Sequence, residues 1–114
     1  RAGTAEASLE NLYDVLAPGG TLGIVQHRGD EGITLDQMTR TAYVPESKVI
    51  ALATAAGFVL DGRSEINANA RDTKDYSGGV WTLPPNFREG DVDREKYAAI
   101  GESDRMTLRF KKPL

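Results

Sequence analysis

Leu16-Ala17-Pro18-Gly19-Gly20-Thr21-Leu22-Gly23-Ile24-Val25 is the stretch on which the reading of this chain turns. Pro18 cannot continue a helix, and Gly19 and Gly20 tolerate a left-handed exit, so a helix ends here. Beyond them Leu22, Ile24 and Val25 sit too close together for one face of a half-buried strand. The near-continuous apolar run over 21–27 predicts a strand covered on both faces, as in a parallel sheet. The run is too short for a buried helix, and the glycine pair just before it argues against one.

To the left of this turn, residues 4–17 read as a helix. Ala5, Leu9, Leu12 and Leu16 fall at i, i+4, i+7 and i+11, one stripe of a 3.6-residue period. Thr4 is the expected N-cap, and Glu6 suits the first turn. To the right, residues 29–44 read as a loop with one short helical turn around 35–40. Pro45 fits a first helical position. Val49, Leu52, Ala53 and Ala56 give a second amphipathic helix, which Gly57 ends. Residues 58–66 read as a strand weakened by Gly62.

From 67 to 104 the pattern dissolves into Asn, Asp, Gly and Pro, with one helical patch at 93–100. A connection of that length inside a compact domain is usually functional or disordered. Met106, Leu108 and Phe110 then alternate with Thr107, Arg109 and Lys111, a period-two strand with one polar face. The expected fold class is α/β. Two parallel strands are joined by a right-handed crossover helix, and a final strand returns antiparallel. The chain reads as part of one domain, with 67–104 as a long irregular insertion.

Composition narrows the function classes. Lys plus Arg is 14 against 17 Asp plus Glu, a net charge of −3, so there is no basic surplus for nucleic acid. No apolar run approaches the ~20 residues of a membrane helix. Cysteine is absent, which removes disulfides, thiolate zinc sites and cysteine nucleophiles. The chain opens on Arg1 and turns amphipathic at once, which reads as an internal start. The compartment stays open between bacterial cytoplasm and periplasm.

The opening stretch resembles the Leu-x-Pro-Gly-Gly turn of class I, Rossmann-like, S-adenosylmethionine-dependent methyltransferases, where it joins the fourth helix to the fifth strand. Further segments resemble a group of predicted bacterial methyltransferases: Tyr43-Val44-Pro45-Glu46, Ser64-Glu65-Ile66-Asn67-Ala68-Asn69, Asp72-Thr73-Lys74-Asp75, Gly79-Val80-Trp81-Thr82-Leu83-Pro84-Pro85 and Gly101-Glu102-Ser103-Asp104-Arg105-Met106. Gln26 departs from the pattern, which would have an acidic residue before His-Arg. The resemblance implies the carboxyl-terminal portion of such a sheet, its seventh strand inserted between the fifth and sixth. It also implies S-adenosylmethionine as cofactor of a parent protein. The Gly-x-Gly turn that grips that cofactor has no counterpart in this chain, so none is expected bound to it and the chain alone is expected to be inactive.

In open α/β sheets ligands bind beyond the carboxyl ends of the parallel strands. That places loops starting at His27-Arg28 and at Asn67 on one edge, where a methyl acceptor belongs. His27, the only histidine, is a candidate general base or substrate contact, or a strand-end residue bonded to backbone. Arg28 is a candidate clamp for an anionic acceptor, or a surface partner of Asp30 or Glu31. Asn67 and Asn69 are candidates to bond substrate, or to make local turns. Trp81 is a candidate pocket cap or a loop anchor, and Tyr43 a pocket wall or hydrophobic staple. Asp72, Asp75 and Asn69 do not match the spacing of a calcium loop, and no Gly-x-Ser-x-Gly elbow is present.

The expected function is therefore methyl transfer by a parent protein to an unidentified acceptor, with this chain supplying acceptor-side loops. The alternative is a non-catalytic interaction module that dimerises through a first-strand edge left unpaired by truncation, or through an exposed helix face. A nucleotide-dependent oxidoreductase half shares the fold but has no support in the sequence.

Overall fold

The computed structural model describes residues 2–114, with side chains described from residue 7 onward. Arg1, and the side-chain roles expected of Thr4, Ala5 and Glu6, lie outside the described residues. The elements are α1 (Ala2–Val15), β1 (Thr21–Gly29), α2 (Leu35–Thr41), β2 (Val44–Pro45), α3 (Glu46–Ala55), β3 (Val59–Ser64), α4 (Arg94–Ile100) and β4 (Arg105–Lys111). A single 3₁₀ turn at Gly79–Thr82 interrupts the long connection between β3 and α4.

The strands form one four-stranded sheet in the order β2-β1-β4-β3. β4 is antiparallel to both neighbours, pairing Ile24 with Leu108 on one side and Leu60 with Phe110 on the other. β1 and β3 therefore run in the same direction with β4 between them, and α3 lies in the connection that joins them. The fold is mixed α/β. Its hydrogen-bonded parallel pair is β1 with the short β2, at Arg28↔Val44 and Gly29↔Pro45. Pro45 belongs to β2 and is the N-cap of α3, one position before the helical start its sequence suggests.

The turn that opened the reading is built as its residues require. Gly19 has φ +81°, and a Cβ on Gly20 would lie 2.5 Å from the Leu16 side chain and 2.8 Å from the Ala17 carbonyl. Lys112, just past β4, holds this turn in register. Its Nζ donates to the carbonyls of Tyr13 and Leu16 at 2.6 and 2.9 Å, satisfying the end of α1. Its backbone exchanges hydrogen bonds with Gly19 and Gly20.

One expectation is corrected. β1 is covered on one face, not two. Thr21, Gly23 and Val25 are exposed while Leu22 and Ile24 turn inward, and Val25 keeps 54% of its surface. Helices α1 and α3 pack on the same side of the sheet, and no described element covers the other. The core lies on that one side. Val49, Ala53, Phe58, Met106, Leu108 and Phe110 form it, with Tyr13, Leu22 and Leu60 against them. Each fully buried large apolar side chain there contributes about 1.5–3 kcal/mol. Tyr13, Phe58 and Phe110 stack edge to face, with centroids 5.1 and 6.4 Å apart.

The segment 67–104 is ordered by docking rather than by its own periodicity. Val80, Thr82 and Leu83 are buried. Gly79 has φ +62°, and a Cβ there would lie 2.5 Å from the Thr41 Cα and carbonyl oxygen. The 3₁₀ turn thus rests backbone to backbone on the end of α2. That helix is closed at its start by a capping box between Thr34 and Gln37.

Candidate functional site

β1 and β3 end, and β4 begins, at one edge of the sheet. Arg28 stands there near the end of β1 and meets carboxylates from three other parts of the chain. Nε and Nη2 donate to the two oxygens of Asp104 at 2.9 and 3.1 Å. Nη1 donates to Glu46 at 3.2 Å and to Glu65 at 2.9 Å. The Asp104 pairing is two-point, the arrangement that fixes a guanidinium most firmly. The bond to Asp104, and then that to Glu65, raises the Arg28 pKa above its ordinary value. Neither Asp30 nor Glu31, the partners suggested by proximity in sequence, is engaged by Arg28.

Asp104 gathers more than Arg28. Lys74 Nζ lies 2.9 Å from Oδ2, and the backbone N–H of Asn69 donates to Oδ1 at 2.8 Å. Burial alone would raise this carboxyl. The hydrogen bonds from Arg28, Asn69 and Lys74 outweigh it and hold Asp104 well below the usual carboxylate range. Lys74 reaches it from a left-handed backbone with φ +64°, a conformation a long side chain adopts only where the surroundings enforce it.

Asp72 is the second buried carboxylate. Both its oxygens accept from the Tyr43 hydroxyl, at 2.9 and 2.7 Å, and it also accepts the N–H of Lys74 and of Asp104. Tyr43 is 1% exposed, and burial together with Asp72 pushes its hydroxyl far above the usual tyrosine range. Tyr43 is thus a wall whose polar end is fixed, and the hydroxyl stays protonated.

The remaining candidates divide. Asn69 bonds the carbonyls of Ile100 and Glu102 through Nδ2, and its Oδ1 accepts from Arg71 N–H. Its carboxamide therefore ties the two ends of the long segment together. Asn67 Nδ2 donates to the Thr107 hydroxyl at 2.8 Å. His27 Nδ1 lies 2.5 Å from the hydroxyl oxygen of buried Ser103. Burial, and after it the charge of Arg105, lowers the His27 pKa, against an opposing pull from Asp72. Trp81 stands apart in a surface depression with Asn86 and Arg88, and the Arg88 guanidinium lies 5.9 Å from its ring centre.

The structure therefore brings Arg28, Tyr43 and Asn69 into one network, sets His27 and Asn67 beside it, and leaves Trp81 outside. Asp104, Lys74, Ser103 and Glu46 have no role in the sequence reading, and Asp72 enters it only as a doubtful cation ligand. The segments quoted for the resemblance contain all five, but nothing in those segments singled them out. A cleft of about 420 Å³ opens beside the network, lined in part by Asp30, Ile33, Arg40, Tyr43, Lys74 and Tyr76. Among the described residues, no group of three or more His, Cys, Asp or Glu is placed to hold a metal ion. No described helix is long and apolar enough to cross a membrane.

The residues present do not fit an adenosyl cofactor by themselves. No Gly-x-Gly turn leaves a strand here, and near the carboxyl end of β1 the Arg28 side chain is taken up by ion pairs with Asp104, Glu46 and Glu65. What the arrangement does provide is a rigid, charge-paired wall beside an open cleft. Neither a protein-family model nor a curated protein sequence matches this chain.

Proposed function

We propose that the chain is the carboxyl-terminal part of a class I S-adenosylmethionine-dependent methyltransferase and forms the acceptor side of its site. The observation that carries this reading is the strand order. β4 returns antiparallel between β1 and β3, with α3 in the connection from β1 to β3, and the chain enters β1 from a Pro-Gly-Gly turn. That is the order the resemblance implies for the last three strands of such a sheet. The role left to this chain's own residues is positioning. The Arg28–Asp104–Lys74 pairs and the Tyr43–Asp72 bond hold 67–78 against the sheet edge, so the cleft wall keeps its shape when a ligand enters. The cofactor, held elsewhere in a parent protein, supplies the methyl group.

Calorimetric titration of S-adenosylmethionine into the full-length protein tests the reading. Saturable one-site binding supports it, and no heat of binding up to millimolar cofactor ends it.

A second reading is favoured by one observation. Arg28 N–H donates to Asp104, and Lys112 N–H to Gly20, so the even-numbered residues of β1 address β4. The odd-numbered residues address the other edge, where β2 pairs only with Arg28 and Gly29. At His27 the Gln26 carboxamide accepts the backbone N–H at 2.8 Å. From Thr21 to Val25 that edge has no strand partner among the described residues, and it carries no charge. The chain then acts as an interaction module that pairs with a second copy along β1.

A further inference from the structure

The middle of the long connection forms a tight bend anchored from below. Val80, Thr82 and Leu83 are buried, and the chain folds back over them. Arg88 N–H donates to the Trp81 carbonyl at 2.8 Å, and the N–H groups of Asn86 and Phe87 donate to the Leu83 carbonyl at 3.2 and 3.1 Å. A loop held in this way presents its outward side chains in fixed places. Three of them, Trp81, Asn86 and Arg88, line one depression of about 360 Å³. It lies apart from the Arg28 network, and no acidic side chain lines it among the described residues.

All three side chains have binding capacity to spare. Trp81 keeps 36% of its surface exposed, so part of the indole is left for a ligand. The Arg88 guanidinium lies 5.9 Å from the indole ring centre and makes no hydrogen bond or ion pair with a described residue. Arg40, Arg63 and Arg109, by contrast, each hold a carboxylate at 2.7 to 2.9 Å. The Glu89 carboxylate, next in the chain, lies by Gly78 and forms no ion pair with Arg88. Phe87 is taken up by Arg94, whose guanidinium stands 4.0 Å from its ring centre. The Asn86 carboxamide has no hydrogen-bond partner among the described residues.

Each group selects one property of a ligand. The indole face favours a flat ring in offset stacking. The guanidinium fork matches a carboxylate at two points. The carboxamide, donor and acceptor at once, suits a polar substituent on the ring. One small molecule can meet these demands together. An offset-stacked ring has its centre about 4.5 Å or more from the indole centre. A carboxylate joined directly to that ring then reaches a guanidinium 5.9 Å from the same indole centre. The depression lies near the small end of ligand sites, which run from about 300 to 1,000 Å³, and so fits a single ring. We propose that Trp81, Arg88 and Asn86 bind a small aromatic carboxylate of the benzoate type. Its ring lies on Trp81, its carboxylate meets Arg88, and a ring hydroxyl, where present, meets Asn86. Binding is reversible and changes no covalent bond. This site stands independently of the methyltransferase reading.

The chain has one tryptophan, so its indole N–H gives a single signal in nitrogen-15 NMR. Sodium benzoate, titrated at neutral pH and constant ionic strength, should shift that signal saturably. Benzamide keeps the ring and loses the charge, and should bind at least about tenfold more weakly, as expected for losing hydrogen bonds to an ion. Cyclohexanecarboxylate keeps the charge and loses the flat ring, and should bind roughly fivefold more weakly. Arg88→Met keeps the stem and removes the fork, and should weaken benzoate by about tenfold or more. The three ligands on the native protein decide the matter should that variant fold poorly. An indole signal that benzoate does not move saturably overturns the proposal. So does benzamide or cyclohexanecarboxylate binding as tightly as benzoate, or a folded Arg88→Met protein binding benzoate as the native one does.

Discussion

Arg28 and Asp104 lie 76 residues apart in the chain and form a two-point ion pair at 2.9 and 3.1 Å, with both side chains largely out of solvent. This pair ties the end of the long connection to the sheet edge. Asp104→Asn leaves the Arg28 and Lys74 charges partly uncompensated in a buried setting. Breaking such a pair on one side typically costs about 3–5 kcal/mol, and the lower end is expected here because Glu46 and Glu65 still hold Arg28. Urea unfolding monitored at Trp81 measures it. Glu65 is 67% exposed, so Glu65→Gln should cost under about 1 kcal/mol in the same assay.

The same carboxylate sets an acid limit. Asp104 is held below its ordinary range, so its contribution is fully present above the unfolded-state pKa of about 3.9. It is lost as pH falls from there through the lower folded value. Melting temperature should therefore drop as pH falls below about 4, and the drop should be shallower in Asp104→Asn. Parallel curves for the two proteins would mean that other carboxylates govern acid unfolding.

Tyr43 donates to a carboxylate that is itself 6% exposed. Tyr43→Phe keeps the ring and removes the donor, leaving Asp72 with two backbone N–H partners. A loss of about 1.5–3 kcal/mol is expected for a hydrogen bond to a charged group. Amide exchange should quicken first at Asp72, Lys74 and Asp104, whose N–H groups belong to the same network. Uniform quickening across the sheet would argue against a local role.

Gly79→Ala tests how the long segment docks. The position needs a left-handed backbone, and the added methyl would meet Thr41 backbone at 2.5 Å, where no flexible side chain can yield. The conformational strain alone is about 1 kcal/mol, and the clash adds to it. The 3₁₀ turn should lift from α2, seen as increased exposure of Trp81 to quenchers. Gly32 also has positive φ but open space around it, so Gly32→Ala should show only the strain.

Local chemistry explains what the sequence made legible. Pro18-Gly19-Gly20 ended α1, alternation at Met106, Leu108 and Phe110 marked β4, and the helical patch near residues 93–100 is α4. The error over β1 has a local cause as well. Val25 is apolar but points outward, so an alternating strand looked continuous. The site was legible only as single residues. Arg28 was visible as a candidate, but its partners Glu46, Glu65 and Asp104 converge through the crossover and the return of β4. No spacing in the chain encodes that meeting. Lys74 was hidden for the same reason, since its left-handed backbone follows from Asp72 and Asp104 closing around it.

The open edge of β1 gives the last prediction. The sheet has a second edge at β3, but that one is blunted by an irregular step between Leu60 and Gly62 and by Asp61 and Arg63. β1 from Thr21 to Val25 has neither device, and Val25 is 54% exposed on it. Edge strands without charge or irregularity are those that recruit another strand. Sedimentation velocity should show this chain associating as concentration rises. Val25→Lys should hold it monomeric while changing stability by no more than about 0.5 kcal/mol, as expected for an exposed position. Val59→Lys, on the blunted edge, should leave association unchanged. Equal effects from both substitutions would place the contact on the sheet face rather than along β1. A monomer at every concentration would remove the interaction-module reading and leave the methyltransferase reading standing on its own test.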